Sequence, residues 1–276
     1  MNDRLSVRFW GVRGSIACPG PQTVRYGGNT PCVEVRCGDH LIIFDGGTGI
    51  RPLGDWLMKK GEVTDADIFF SHCHVDHIGG LPFFAPFYGE VNTFRLWAGN
   101  LQPDYTMEGV MRILMSEPTF PIGIETFRAR MDYRDFKAGD TLALRDGISI
   151  RTVPLDHPGG ATGYRIDFAG RSIAYLTDNE GRPGEFDPAL LALAKGADLA
   201  IYDCTFTDDE IHDKAGWGHS TWRDGLRLAD EAGIKTFCLF HHAPEHDDAF
   251  MDGLAKEAQA ARPGTIVAIE GSVIEL

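Results

Sequence analysis

Cysteine is scarce in this sequence. Six occur in 276 residues (Cys18, Cys32, Cys37, Cys73, Cys204 and Cys238), and no two form a C-x-x-C pair. That pattern argues against a disulfide framework and against a cysteine-held structural zinc. Long apolar runs are also missing. Stretches such as 41–44 and 68–70 are far shorter than the roughly 20 residues a bilayer span needs, so no membrane partner is expected. Residues 1–6 show no basic region leading into an apolar one, which argues against a secretory signal and makes the cytoplasm the expected location. No run is rich in Lys or Arg. The chain has 40 acidic residues against 26 basic ones and a net charge of −14. Proteins that grip long nucleic acids usually carry basic patches, so a small substrate is favoured over a long nucleic acid. There is no short repeat and no Pro/Gly/Ser-rich linker. Residues 1–276 are therefore read as one domain, long enough to bury its own core. The 43% hydrophobic and 24% charged content is that of an ordinary globular enzyme.

Short apolar runs alternate with turn signals. Residues 7–10, 32–35 and 41–45 read as strands, the last two joined by a Gly38-Asp39 hairpin turn. Residues 50–60 have helical spacing. Residues 67–71 form a buried strand running into a histidine cluster, and 77–87 begin a helix that Pro82 and Pro86 shorten. The segment 101–140 differs in character. It carries Met107, Met111 and Met115 at helical spacing, then Pro118 and Pro121 and a charged stretch, and reads as an insertion or lid. Strands follow at 148–154, 162–168, 171–177, 199–203, 235–240, 265–269 and 272–275, with helices at 188–194, 221–232 and 247–261. Strand-rich halves with helices between them predict an α/β fold of two sheets packed face to face with helices outside.

The strongest chemical signal is His72-x-His74-x-Asp76-His77 at the end of an apolar strand. Alternate residues of an extended segment point the same way, so His72 and His74 can reach one ion. The chain then turns, and Asp76 and His77 can face a neighbouring site. Four further segments contain metal-competent side chains near strand ends: Asp45-Gly46-Gly47, Asp156-His157, Thr177-Asp178, and His241-His242. Of the last two histidines, alternation lets only one point inward.

Taken in order, these five segments resemble the motifs of the metallo-β-lactamase superfamily over most of the chain. The resemblance implies the four-layer αββα sandwich of that family and a centre of two divalent metals, with Zn²⁺ favoured and Mn²⁺ or Fe admissible. It assigns His72, His74 and His157 to one metal, Asp76, His77 and His241 to the other, and Asp178 to a bridge between them. Of His241 and His242 it favours the former. Asp45 is either a turn residue or the group that orients a ligand histidine.

Within that superfamily, Trp217-Gly218-His219-Ser220-Thr221 resembles a motif of the ribonuclease Z-like phosphodiesterase branch. The resemblance makes Asp76 and His219 the candidate catalytic residues, His219 as a phosphate contact or as the acid for the leaving oxygen. The plainer alternative is that this turn only caps the next helix. Residues 9–15 and 26–30 resemble the same branch, so Arg13, Asn29 and Thr30 join His219 as candidate substrate contacts; each also has a structural alternative, a turn or a surface pair. The pattern is similar to that of bacterial ribosyl cyclic-phosphate diesterases, without their Cys-rich zinc motif. The expected function is hydrolysis of small phosphate diesters, cyclic ones included, such as cyclic nucleotides or ribosyl cyclic phosphate. A carboxylic-ester, lactone or thioester hydrolase and an RNA-processing nuclease are the alternatives, and a homodimer is an admissible assembly.

Overall fold

The computed structural model describes residues 2–145, 147–181 and 185–276. The chain opens with strand β1 (Leu5–Gly11), which pairs antiparallel with β2 (Cys32–Cys37). A tight turn leads to β3 (His40–Phe44), and Gly38 sits in it at φ 60°, a conformation that favours glycine. Helix α1 (Ile50–Lys60) then crosses over. It buries Ile50, Leu53 and Leu57 on one face and stops at Gly61, which is left-handed. Strands β4 (Asp65–Phe70), β5 (Thr93–Ala98) and β6 (Arg130–Asp135) come next, in parallel beside β3. Between them lie the four-residue helix α2 (Val75–Ile78) and helix α3 (Met107–Leu114).

The second half repeats the plan. Strands β7 (Thr141–Ala143), β8 (Ser149–Leu155), β9 (Ala161–Phe168) and β10 (Arg171–Leu176) form antiparallel neighbours. Helix α4 (Pro188–Ala194) leads to β11 (Leu199–Asp203), helix α5 (Trp222–Ala232) to β12 (Thr236–Phe240), and helix α6 (Asp248–Ala261) to β13 (Ile266–Val267). These three strands run parallel beside β10. The last strand, β14 (Val273–Glu275), returns to β1. The result is two seven-stranded sheets, β14-β1-β2-β3-β4-β5-β6 and β13-β12-β11-β10-β9-β8-β7.

Strand alternation sorts the core into three slabs. Ile42 and Phe44 of β3 point between the sheets with Tyr175, Ile201 and Phe240, and Phe44 stacks on Tyr175 at 4.8 Å. Leu41 and Ile43 point the other way, into the slab under α1 and α3. Ala200 and Tyr202 of β11 face α4, α5 and α6. Helix, sheet, sheet, helix is the four-layer αββα sandwich of the metallo-β-lactamase fold. Among the described residues no helix is long and apolar enough to cross a membrane.

Two expectations need correcting. Segment 101–140 is not an insertion as a whole: β6 is the edge strand of the first sheet, and Met107, Met111 and Met115 are buried in the slab beneath it. The helix expected at 77–87 is one turn of α-helix followed by two 3₁₀ turns, 81–83 and 85–88. Pro82 and Pro86 lack the amides a longer helix would need.

Candidate metal centre

The parallel strands of both sheets end on the same side of the sandwich, and the site is built from the residues at and just past those ends. β4 delivers the 71–77 run, β8 His157, β10 Asp178, β11 Asp203 and β12 His241. Three of the residues at these ends are held at positive φ without being glycine: Asp45 at 61°, Asp178 at 57° and His241 at 63°. Each bend costs on the order of 1 kcal/mol or more and is held by the surrounding packing. It turns the side chain off the strand line and into the space between the sheets.

Asp178 lies between two groups of donors. Its Oδ1 is 3.9 Å from His72 Nε2 and 3.8 Å from His157 Nε2. Its Oδ2 is 3.3 Å from His77 Nε2 and 3.4 Å from His241 Nε2. On the first side, His157 Nε2 approaches His74 Nδ1 at 3.2 Å. On the second, Asp76 Oδ2 is 3.3 Å from His77 Nε2 and 3.5 Å from His241 Nε2. Ligands about 2.1 Å from one tetrahedral ion stand roughly 3.4 Å apart, so these separations are those of two adjacent coordination shells sharing one carboxylate. The triads His72/His74/His157 and Asp76/His77/His241 each converge on one point.

The hydrogen bonds behind the histidines determine which ring nitrogens carry protons. His77 Nδ1 donates to Asp45 Oδ2 at 2.9 Å. Ser71 Oγ donates to Asp45 Oδ2 and so accepts from His72 Nδ1. His157 Nδ1 donates to the Gly218 carbonyl at 2.9 Å. Thr205 Oγ1 donates to Asp203 Oδ1 and accepts from His241 Nδ1 at 2.9 Å. Each ring therefore turns its Nε2 to the cluster. Four such nitrogens and the oxygens of Asp76 and Asp178 face one another in a buried space, and His72 Nε2 has no hydrogen-bond partner among the described residues. Acceptors without a donor are costly when buried. Divalent cations are the natural counterpart, and this mixed N/O set fits them.

Burial alone would raise the Asp76 carboxyl, but the neighbouring His77 and His241 hold it well below the usual carboxylate range. Burial opposes charge on His77, yet Asp178, Asp76 and Asp45 lift that ring well above the ordinary imidazole value, so a proton there offsets the carboxylates where a metal would otherwise do so. Burial and the surrounding histidines push His72 well below the ordinary imidazole value. A neutral imidazole is the form that binds metal.

His219 stands beside the cluster, its ring 5.1 Å from that of His241 and 5.4 Å from that of His157. Its Nδ1 donates to Asp203 Oδ2 at 2.8 Å. Burial opposes its charge, yet Asp203 outweighs burial and lifts the ring to about 9. Asp203 is itself raised by burial and pulled down by His219, to about 2. Glu180 Oε1 and Oε2 accept from the Gly216 and Gly218 amides at 2.8 Å and so pin the loop that carries His219. Thr221, two residues on, caps α5 by accepting from Asp224 N. Cap and site histidine thus share one turn.

Three candidates are not brought to the cluster. The Arg13 guanidinium, 0% exposed, donates to the carbonyls of Gly27, Ala243 and His246 and clasps two loops together. Thr30 Oγ1 accepts from Thr48 N, and Asn29 Oδ1 accepts from Thr48 Oγ1, so both brace the 46–49 turn. The bonds these side chains make are those of the structural alternative, within the protein itself. His242 turns away and bonds the Ala268 carbonyl. Asp203, Thr205, Ser71 and Glu180 are functional residues that sequence reasoning missed. Asp203 had one usable signal, its place at the end of the apolar strand 199–203. The hydroxyl groups had none.

Two opposed mixed sheets with outer helices, and paired histidine–aspartate donor sets at their parallel strand ends, define a metal-dependent hydrolase of the metallo-β-lactamase fold. The chain belongs to the β-lactamase superfamily: the family model described as "Beta-lactamase superfamily domain" matches residues 40–242. The ribonuclease Z of Myxococcus xanthus (strain DK1622) is 25% identical over 294 residues, which cover 90% of this chain and 92% of that protein. Among solved structures, the metallo-β-lactamase fold protein YhfI from Bacillus subtilis has a TM-score of 0.74 at 20% identity, covering 99% of this chain and 100% of that one. A diphosphatase of the PhnP family has a TM-score of 0.70 at 20% identity, covering 99% and 97%.

Proposed function

We propose that this protein is a two-metal phosphodiesterase of small phosphate diesters, cyclic ones included, with Zn²⁺ as its resident metal. The observation that carries this reading is the His219–Asp203 pair beside the two donor sets. A phosphodiester is an anion whose leaving oxygen must gain a proton. An imidazolium held at one nitrogen by Asp203 offers both a positive charge and a proton at its other nitrogen. A neutral carboxylic ester has less need of that charge. His72, His74, His157, Asp76, His77, His241 and Asp178 would hold the metals, which supply Lewis-acid polarisation of phosphoryl oxygens and lower the pKa of nearby water. Asp178, which faces both donor sets, would offset the repulsion between two bound dications. Asp45, the Gly218 carbonyl and Thr205 keep the ligand histidines in register.

RNA processing is a second reading, supported by the name of the Myxococcus relative. The net charge of −14 and the lack of a Lys/Arg-rich run weigh against it. The test is a panel of linear and cyclic phosphodiesters, bis(p-nitrophenyl) phosphate among them, set against a p-nitrophenyl acyl ester with Zn²⁺- and Mn²⁺-loaded protein. Turnover of the diesters with little acyl hydrolysis is expected. Turnover of the acyl ester alone would overturn the proposal.

A further inference from the structure

Beside the candidate metal centre lies a groove of about 390 Å³ that shares His72 and His74 with it. One wall is α3, whose apolar arc is wider than its buried face. Met107 and Met111 are fully buried against the first sheet. Val110, Ile113 and Leu114 turn towards the groove, and Ile113 is 63% exposed. The polar side of the helix is occupied by its own Glu108–Arg112 pair at 2.7 Å. Val75 and Tyr105, 75% and 59% exposed, extend the apolar wall. Gly159 and Gly160, at φ 82° and 78°, line the groove with bare backbone. Among the described residues no Asp, Glu, Lys or Arg lines it, and His219 is not part of it.

A packed helix needs one apolar stripe. Here the apolar arc runs on past the buried methionines through Val110 and Leu114 to exposed Ile113, and that surplus is contiguous with the groove that ends at two metal-ligand candidates. The groove offers no cation to a flanking phosphate, as a polynucleotide would require, and its size is that of a small-molecule site. We propose that it is the subsite for an apolar ester group, alkyl or aryl, on the non-leaving side of the substrate phosphate. The inference rests on the phosphodiesterase reading and narrows it to diesters with one apolar substituent.

The test uses two substrates with the same leaving group, methyl p-nitrophenyl phosphate and phenyl p-nitrophenyl phosphate, on the metal-loaded protein and on its Ile113→Gln and Ile113→Gln/Tyr105→Ser variants. Burying a ring in the groove predicts kcat/KM about tenfold or more higher for the phenyl ester. The variants should lose most of that preference while the methyl ester changes by less than about twofold. Equal rates for the two esters, or an equal fall for both in the variants, would overturn the subsite. Calorimetric titration with phenylphosphonate and methylphosphonate separates this inference from the reading beneath it. If neither ester is hydrolysed but phenylphosphonate binds about tenfold tighter and loses that margin in the variants, the subsite stands and the phosphodiesterase reading fails. Equal binding of the two phosphonates sinks the subsite.

Discussion

His72, His77, His157 and His241 each give one ring nitrogen to a protein acceptor and turn the other towards the cluster. Removing a ligand and removing its neighbour His219 should therefore have different signatures. His74→Ala should lower the metal content from two per chain to one or fewer, read by plasma mass spectrometry. Asp178→Asn should disturb both positions. His219→Ala should keep both metals and lower kcat by about 10² to 10⁴ on diesters with an alkoxide leaving group. On p-nitrophenyl esters the loss should be much smaller, because that leaving group departs without a proton. An equal loss on both substrate types would remove the proton-donor role. At this scale the seven donors of the cluster were legible because they sit in motifs. Arg13, Asn29 and Thr30 were left between two readings because a polar residue in a glycine-rich loop looks the same in sequence whether it meets a ligand or a group of its own chain.

The loops between elements place these residues, and the one before α5 leaves no room for a further side chain. Gly218 lies at φ 82°, and a Cβ there would stand 2.1 Å from His157 Nδ1. Gly218→Ala should push His157 and His219 apart and lower kcat/KM by tenfold or more, on the order of 1.4 kcal/mol of transition-state binding, with far-ultraviolet dichroism unchanged. At the opposite side of the first sheet, β3, β4 and β5 share a buried ion network around Asp67. Its carboxylate lies 2.8 Å from His40 Nε2 and 2.8 Å from Arg95 Nε and also accepts from Trp97 Nε1. Burial alone would raise Asp67, but these partners pull it down to about 2. A carboxyl lowered on folding stabilises the native state above its unfolded value, near 4, and loses that contribution as pH falls towards 2. Urea unfolding across that range should show about 2 kcal/mol of stability lost that Asp67→Asn does not lose. The same slope in the variant would assign the acid sensitivity elsewhere. β3 and β4 were readable from their apolar runs; β5 was not. The network was not, because it needs three strands in register.

For the whole molecule, the centre is a seam between the two sheets. The first supplies His72, His74, Asp76 and His77, the second His157, Asp178, Asp203 and His241. Bound metals would therefore clamp the two halves together and relieve the buried acceptors. Chelation with EDTA should lower the thermal midpoint. A metal present at about 1,000 times its dissociation constant adds about 4 kcal/mol, which for a chain of this size corresponds to roughly 10 °C. A midpoint indifferent to chelation and to added Zn²⁺ would mean that the donors hold no metal in solution.

The sequence by itself determined the fold class, most of the strands and helices outside residues 88–147, and the chemistry of the donor set. Apolar periodicity and six-residue motifs are local properties, and 101–140 was misread where a short exposed edge strand lacks that periodicity. Only the tertiary structure decided that Asp178 faces both donor groups, that His241 and not His242 turns inward, and that Asp203 holds His219. Those facts depend on positive-φ bends at strand ends and on residues more than a hundred positions apart meeting across two sheets. A linear pattern carries no angle and no distance. The run from His72 to His77 names half of a metal centre, and the second sheet completes it.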